Sequence, residues 1–198
     1  MVTVVKNGTI PYERMRLELD DDSFTYISIP GKSCIAKCKN VALIRMLDAG
    51  CDHMFVLEDD MLIKDFSVFR KYIDVASHFG LGHMNWNTIP TVENNRRMIY
   101  ADGGFKLCLT SRLCGCFQYF ERNALQHVGL MDERYINLLE HAEHAYRFGL
   151  AGYSTPFNAF ADIVGGEDCL ENVGEESTTI DKGQEYMANM QKAACLFA

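Results

Sequence analysis

The chain has 198 residues, of which 48% are hydrophobic and 23% charged, a balance typical of a folded globular protein. This length suits one full-sized domain, and no apolar run reaches the roughly 18 to 20 residues that span a membrane. The net charge of −8 disfavours a broad nucleic-acid-binding face, because an acidic surface repels phosphodiester backbones. We see no signal-peptide pattern near the start. We therefore expect a cytoplasmic protein with no membrane span and no nucleic-acid partner.

Eight cysteines are many for a chain of this length. Three of them, Cys108, Cys114 and Cys116, are close together, but they lack the paired C-x2-C spacing of a zinc site. We expect all eight to be reduced thiols that pack in the core as small hydrophobic side chains.

Hydrophobic periodicity and turn residues predict an alternation of strands and helices. The expected order is strand 2–5, strand 24–29, helix 35–47, strand 53–57, helix 67–78, strands 82–86, 98–100 and 105–109, and helices 121–128, 138–148 and 182–196. Ser33 is expected to cap the first helix and Gly50 to end it. This alternation predicts a single α/β domain with a mostly parallel central sheet and helices on both faces. Ligands of such sheets bind beyond the carboxyl ends of the strands, which points to the residues after 57.

Three carboxylates, Glu58, Asp59 and Asp60, follow the buried strand 53–57 directly. Crowded like charges raise one another's pKa values unless a cation neutralises them. In an extended segment Glu58 and Asp60 point to the same side, which suits one Mg²⁺ or Mn²⁺ ion that keeps open positions for substrate phosphates. The alternative is a solvated acidic turn, and that is the expected structure of the other acidic run, at residues 20–22.

A second group of polar residues lies in the predicted helix 138–148. On a helix Glu140, Glu143, His144 and Arg147 share one face, because they are three and four residues apart. The order differs from the H-E-x-x-H pattern of zinc proteases. The group is therefore either part of an active site or a charged helix face.

Four segments match known motifs in the right order. Residues 54–61 (MFVLEDDM) are similar to a strand that ends in a D-x-D motif, and residues 36–52 to the helix before it. Residues 115–135 are similar to a "G…v-G-g-f-D-E-r-f" segment, and residues 140–149 to "E-D-x-d-l-x-x-R-l". Together they cover residues 35–152, and the chain resembles the family 2 nucleotide-sugar glycosyltransferases of the GT-A fold.

The resemblance implies a single GT-A (Rossmann-like) domain, with a donor-nucleotide half at about residues 1–65 and an acceptor half at about 66–198. It implies an enzyme that moves a sugar from a nucleoside-diphosphate-sugar, with UDP-sugars favoured, to a glycan or another hydroxyl acceptor. Mn²⁺ or Mg²⁺ is the implied cofactor, and inversion is favoured over retention.

The resemblance also implies roles for particular residues. Asp60 is expected to hold the metal against the diphosphate, with Glu58 and His144 as further ligands; His141 or a later acid such as Asp168 are alternatives for the third position. The residues expected to bind the nucleotide-sugar are Lys6, Asn7, Lys39, Asn40, Glu58, Asp59 and Gly115.

Glu140 is the expected general base, since the resemblance places it on the acceptor side and a helix N-terminus keeps a carboxylate ionised. His141, which replaces the family's aspartate, is the second candidate, and Asp132 is the third. We expect Glu140 and His141 not to share a proton relay, because consecutive helical residues point about 100° apart.

Two other classes of function stay open. One is a different Mg²⁺- or Mn²⁺-dependent enzyme, transferring a nucleotidyl or phosphoryl group, and the other is a non-catalytic relative that binds a nucleotide-sugar or glycan. The glycine-containing acidic stretch 165–176 is expected to be either a lid over the donor or a disordered loop.

Overall fold

A computed structural model describes residues 2–7, 24–29, 33–87, 97–136, 138–173 and 184–197. Its strands are β1 (Val2–Asn7), β2 (Phe24–Ile29), β3 (His53–Leu57), β4 (Met61–Ile63), β5 (His83–Asn85), β6 (Arg97–Asp102), β7 (Phe105–Thr110), β8 (Phe117–Glu121), β9 (Phe160–Ile163) and β10 (Leu170–Asn172). Its helices are α1 (Ile35–Asp48), α2 (Ser67–Phe79), α3 (Arg122–Val128), α4 (Glu140–Leu150), α5 (Gly166–Cys169) and α6 (Gln184–Phe197). Every predicted strand and helix overlaps one of these elements, whereas β4, β8, β9, β10 and α5 were not predicted. No helix in these ranges is long and apolar enough to cross a membrane.

The expected mostly parallel central sheet is wrong. The described strands form four small sheets, ordered β1-β2, β10-β4, β3-β8-β5 and β6-β7-β9, and only the β1-β2 pair is parallel. The main reason is β8, which pairs antiparallel with both β3 and β5. β3 and β5 therefore run in the same direction, as the strand–helix–strand pattern suggested, but the unpredicted strand lies between them.

A tight hairpin contributes a second antiparallel sheet. β6 and β7 are joined by Gly103 and Gly104, which have φ angles of 54° and 84°. Two consecutive left-handed residues are the requirement of the type I′ turn that joins twisted strands, and glycine meets it without strain. β9 then pairs antiparallel with the other edge of β7.

The sheet β3-β8-β5 separates two hydrophobic clusters. Phe117 and Tyr119 of β8 pack with Tyr72 of α2 on one face. Phe120 packs on the other face, in a cluster that includes Leu43 of α1 and Phe148 of α4. Successive side chains of a strand point to opposite faces, so Gln118 shares the face of Phe120. The helices that carry the candidate polar residues, α1 and α4, thus pack on the same side of this sheet.

Three local expectations need correction. Cys34, not Ser33, caps α1, since its sulfur accepts a hydrogen bond from the amide nitrogen of Lys37 at 3.4 Å. Residues 166–172 are not a disordered loop but form α5 and β10, and β10 pairs with β4; the alternative of a lid over the donor stays a prediction. All eight cysteines are free thiols, but only Cys108, Cys116 and Cys169 are buried, and Cys195 is exposed. The acidic run 20–22 lies outside the described residues.

Candidate active site

The candidate site begins at the acidic turn, residues 58–60, which connects β3 to β4. The amide nitrogen of Glu58 donates to the carbonyl oxygen of Cys116 at 2.9 Å, and that of Met61 to the carbonyl oxygen of Glu58 at 3.2 Å. From the other side, the amide nitrogen of Val173 donates to the carbonyl oxygen of Asp60 at 2.8 Å. Segments before β8 and after β10 therefore fix the backbone of the turn.

Lys39 of α1 is buried at the centre of the site, with 5% of its side chain exposed. Its Nζ atom lies 2.6 Å from Oε1 of Glu58 and 3.4 Å from Oε1 of Glu140, and it donates a hydrogen bond to the carbonyl oxygen of Gly115 at 2.9 Å. We call Lys39, Glu58, Gly115 and Glu140 the Lys39 cluster. One ammonium group thus joins the end of β3, the start of α4 and the segment before β8.

The charges of the Lys39 cluster depend on one another. Burial alone would lower the pKa of Lys39, but the negative charges of Glu140 and Glu58 outweigh it and raise this pKa. Burial likewise opposes ionisation of Glu140, yet the hydrogen bond and charge of His141 and the charge of Lys39 lower the pKa of Glu140 to about 2. Glu140 is therefore ionised at neutral pH, although only 2% of it is exposed. A buried charge of this kind is tolerated only while its partners are present.

Glu140 and His141 contact each other, contrary to the expectation that their directions keep them apart. Nδ1 of His141 lies 3.2 Å from Oε1 of Glu140. Consecutive Cα–Cβ bonds of a helix do diverge, but these two side chains are long enough to meet at the first turn of α4. An ionised carboxylate only accepts hydrogen bonds, so Nδ1 carries the proton and Nε2 of a neutral ring is left as the acceptor. Nε2 has no hydrogen-bond partner among the described residues, and 22% of the His141 side chain is exposed.

Gly115 allows the two sides of the site to approach closely. A Cβ atom at this position would lie 2.9 Å from Cγ and Nδ1 of His141 and 3.2 Å from Nζ of Lys39. The first distance is shorter than real Cβ contacts, so a side chain here would displace the imidazole ring. Binding of the nucleotide-sugar by Gly115 stays a prediction. The structure does bring Gly115 together with Lys39, Glu58, Glu140 and His141.

Asp60 is the residue of the turn that fits a cation ligand. Its Oδ1 atom is buried and has no hydrogen-bond partner in the described parts of the chain. Burial and the charge of Glu58 raise the pKa of Asp60, so a nearby cation would relieve both effects. Glu58 itself points to Lys39, and the described residues contain no group of three His, Cys, Asp or Glu side chains arranged around a metal. A Mg²⁺ or Mn²⁺ ion bound through one carboxylate and substrate phosphates is compatible with this arrangement.

His144 lies in the hydrophobic core instead of at the acidic turn. Its Nε2 atom donates to the carbonyl oxygen of Gly129 at 2.8 Å, and its ring packs 5.4 Å from that of Phe120 and 4.9 Å from that of Phe148. Burial lowers the pKa of His144 well below its usual value. No hydrogen bond or ion pair joins it to the acidic turn within the described residues. We therefore assign His144 a structural role in place of the expected role as a metal ligand.

Two further candidates stabilise the loop before α4. Asn40 is buried, and its side-chain amide forms two hydrogen bonds with the backbone of Met131. Asn40 donates to the carbonyl oxygen of Met131 and accepts from the amide nitrogen of Met131, both at 2.9 Å. A third bond joins Nδ2 of Asn40 to Oε1 of Glu133 at 3.1 Å. Asp132 pairs with the guanidinium of Arg134, which lowers the pKa of Asp132 and weakens it as a general base. Within the described residues neither side chain forms a hydrogen bond or ion pair with the Lys39 cluster, so neither nucleotide binding by Asn40 nor base catalysis by Asp132 gains support.

The predicted polar face of α4 has two separate functions. Arg147 forms an ion pair with Glu143 and donates to the carbonyl oxygens of Val128 and Leu130, at 2.9 and 2.7 Å. These contacts attach α4 to the loop that follows α3. Only Glu140, at the start of α4, faces Lys39.

The remaining candidates stay predictions. Lys6 and Asn7 end β1, where their backbones pair with β2, and their side chains lie outside the described residues. Asp59 and Asp168 have exposed side chains. None of these four has a described contact with the Lys39 cluster.

The sequence showed Cys114 and Cys116 close together but gave them only a place in the core, whereas in the structure their sulfur atoms lie 3.2 Å apart. The hydrogen bond with Cys116 lowers the pKa of Cys114 to about 6, while the same bond and burial raise the pKa of Cys116. The signal was available in the C-G-C spacing, because residues two apart in an extended segment share a face. Only the structure shows that Gly115, between them, belongs to the Lys39 cluster.

Sequence reasoning missed a polar layer between α4 and the sheet β3-β8-β5, formed by His83, Gln118, Glu140 and His144. Each of them has at least one buried side-chain atom without a hydrogen-bond partner in the described residues: Nε2 of His83, Oε1 and Nε2 of Gln118, Oε2 of Glu140 and Nδ1 of His144. Such groups cost about 1–3 kcal/mol each. Of these four residues Glu140 also belongs to the Lys39 cluster, and the ring centroids of His83 and His144 lie 6.1 Å apart.

Comparison of the chain with protein-family models and with curated proteins finds no match. The glycosyltransferase hypothesis therefore depends on the motif resemblance and on the chemistry of the residues at the site.

Proposed function

We propose that the protein is a metal-dependent glycosyltransferase that moves a sugar from a nucleoside-diphosphate-sugar, with UDP-sugars favoured, to a hydroxyl acceptor. The observation that supports this proposal best is the convergence at Lys39. Lys39 joins Glu58, from the segment that resembles the donor motif, to Glu140, from the segment that resembles the acceptor motif. Glu140 lies 101 residues after Lys39 in the sequence. A purely structural charged face on α4 would not require a buried contact between these two segments.

On the donor side, Asp60 would hold Mg²⁺ or Mn²⁺ through its unpartnered Oδ1 atom. Such an ion supplies charge neutralisation for the departing nucleoside diphosphate. The ion pair with Lys39 keeps Glu58 turned away from this position. In this proposal Asp60 is the metal ligand, and Glu58 is a positioning residue instead of the second ligand.

On the acceptor side, His141 is the general base. Glu140 has a pKa of about 2 and is almost fully buried, so it is a weak base for an acceptor hydroxyl. It instead accepts the Nδ1 proton of His141, which orients the imidazole and leaves Nε2 to take the hydroxyl proton. A carboxylate also stabilises the imidazolium that results. A single base that activates the acceptor hydroxyl for direct displacement of the nucleoside diphosphate favours inversion of configuration at the sugar.

Asp60→Asn tests the donor side. We expect this variant to lose the Mn²⁺-dependent part of its affinity for UDP in isothermal titration, with and without Mn²⁺. Its unfolding free energy should stay the same or rise, since the substitution removes a like charge beside Glu58. Asp74→Asn is the control, because Asp74 pairs with Arg70 on α2. Unchanged Mn²⁺-linked affinity in Asp60→Asn would contradict the assignment of Asp60.

His141→Ala and Glu140→Gln test the acceptor side. With a screened panel of nucleotide-sugars and acceptors, His141→Ala should reduce kcat by about a hundredfold or more and leave donor binding intact. Glu140→Gln should retain part of the wild-type kcat, because the glutamine side-chain oxygen still accepts the Nδ1 proton of His141 but carries no charge to stabilise the imidazolium. An active His141→Ala enzyme would exclude the histidine as base.

The product identifies the class of reaction. A glycosyltransferase releases a nucleoside diphosphate, a nucleotidyltransferase pyrophosphate and a phosphoryltransferase phosphate or a phosphorylated acceptor. Chromatography of a reaction with labelled donor separates these products. Binding without any turnover across the panel would favour the non-catalytic alternative.

A further inference from the structure

Cys114 and Cys116 are two free thiols with 3.2 Å between their sulfur atoms. Residues two apart in an extended chain share a face, and a bend at residues 115–116 brings these side chains closer still. Cys114 is half-buried, so reagents reach it from solvent, whereas Cys116 is 2% exposed. This is the arrangement of an accessible thiol with a second thiol directly behind it.

The backbone of this pair is attached to the candidate site at two points and to β5 at a third. The carbonyl oxygen of Gly115 accepts from Lys39 at 2.9 Å, and that of Cys116 accepts from the amide nitrogen of Glu58 at 2.9 Å. The carbonyl oxygen of Cys114 lies 3.5 Å from Nδ2 of Asn85, which donates to it. A change of geometry at the two cysteines would therefore reach both Lys39 and Glu58.

We propose that Cys114 and Cys116 form a redox-active dithiol that hydroperoxides oxidise to an intramolecular disulfide. The Cys114 thiolate attacks the O–O bond of hydrogen peroxide, forms a sulfenic acid and releases hydroxide, which takes a proton to become water. The sulfur of Cys116 then attacks the sulfur of Cys114, an S–S bond forms, and the hydroxyl group leaves with the Cys116 proton as a second water. The two thiols lose two electrons in total, and the peroxide gains them.

Closure of the disulfide changes the site. The S–S bond is about 2.05 Å long, so the two sulfur atoms approach each other by roughly 1 Å. Because Gly115 lies between them, its carbonyl oxygen moves relative to Nζ of Lys39. The oxidised protein then binds the nucleotide more weakly; this consequence rests on the proposed function, whereas formation of the disulfide does not.

The test uses the reduced 198-residue protein, treated with one equivalent of hydrogen peroxide, alkylated with iodoacetamide and digested with trypsin. Cleavage after Arg112 and Arg122 gives the peptide 113–122, whose only cysteines are Cys114 and Cys116. We expect most of this peptide to be two hydrogens lighter and free of alkyl groups. The exposed Cys195 in peptide 193–198 serves as the internal control and should stay alkylated. Dithiothreitol before alkylation should restore two alkyl groups on peptide 113–122.

Cys114→Ser and Cys116→Ser should each abolish the lighter peptide. Either variant is sufficient, so the test holds if the buried Cys116→Ser protein fails to fold. A wild-type peptide 113–122 that still carries two alkyl groups, at a peroxide dose that already oxidises Cys195, would overturn the proposal. So would a disulfide between either residue and a third cysteine of the folded protein.

A second measurement separates this proposal from the proposed function. Titration with UDP and Mn²⁺ should give at least tenfold weaker binding for the oxidised protein than for the reduced one, with recovery after dithiothreitol. Equal affinity of the two forms would overturn the effect on the site. If the reduced protein binds no nucleotide at all, the proposed function fails, while the mass of peptide 113–122 still decides whether the dithiol is redox-active.

Discussion

Replacement of Lys39 by methionine removes the charge at the centre of the Lys39 cluster and retains the length of the side chain. In the variant the carboxylate of Glu140 stays buried but loses its ammonium partner, while the partly exposed Glu58 turns to solvent. Breaking a buried ion pair on one side is destabilising, because the remaining charge keeps fewer partners and is not hydrated; here the contact of Glu140 with His141 remains. We therefore expect Lys39→Met to fold with lower stability at neutral pH.

The pKa of Glu140 gives the magnitude. A fall from an ordinary 4.5 to about 2 corresponds to a stabilisation of about 3 kcal/mol at neutral pH. This contribution is fully present above pH 4.5 and is lost as the pH falls through about 2, because the unfolded chain takes up the proton first. In Lys39→Met the carboxyl group becomes neutral at a higher pH. Lys39 supplies only part of this stabilisation, because His141 also holds the Glu140 carboxylate, so the loss at pH 7 should stay below about 3 kcal/mol and should shrink at pH 3.

Urea denaturation measures the free energy of unfolding at pH 7 and at pH 3. The fluorescence of the single tryptophan, the buried Trp86, reports the transition. The matched control is Lys37→Met, which removes an exposed lysine from the same helix and should change stability by less than about 0.5 kcal/mol. The double variant Lys39→Met/Glu140→Met removes both buried charges and should recover at least half of the loss. A single variant as stable as the wild type, or a loss that does not shrink at pH 3, would refute the buried ion pair.

Three further predictions concern neighbouring residues. Asn40→Ala should lower the free energy of unfolding by about 2–3 kcal/mol in urea titrations, because both backbone groups of Met131 lose their partner. A change below about 0.5 kcal/mol would show that these two hydrogen bonds do not stabilise the fold. Gly115→Ala should destabilise the protein by about 1–3 kcal/mol and change the NMR chemical shifts of the His141 ring, since the added Cβ displaces this ring; unaltered His141 chemical shifts would contradict the close packing. Gln118→Leu should raise the melting temperature, because it removes two buried polar atoms that have no partner in the described residues; a lower melting temperature would mean that the amide is hydrogen-bonded in solution.

The elements that could be predicted from the sequence are those with a strong local pattern. The amphipathic helices α1 and α2 and the apolar strand β3 fold where periodicity places them, because each buries its own apolar face. The strand β8 was missed because its sequence, FQYFE, has no clean alternation: Phe117 and Tyr119 face one cluster, while Gln118 and Phe120 face the other. A strand covered on both faces gives no period-two signal, and its antiparallel position depends on tertiary pairing alone. The wrong sheet topology follows from that omission.

The candidate site shows the same limit at the level of single side chains. Residue type and the family resemblance made Glu58, Asp60, Lys39 and Glu140 candidates, but their contacts with one another join segments about a hundred residues apart. Leu139, which precedes α4, has φ +64°, a left-handed conformation that no pattern predicts for leucine. The chain thus enters α4 with Glu140 turned inward to Lys39, so the carboxylate expected to be the base is bound to an ammonium group. In the proposed mechanism the adjacent imidazole is the better proton acceptor, because Glu140 holds its Nδ1 proton and leaves Nε2 for the acceptor hydroxyl.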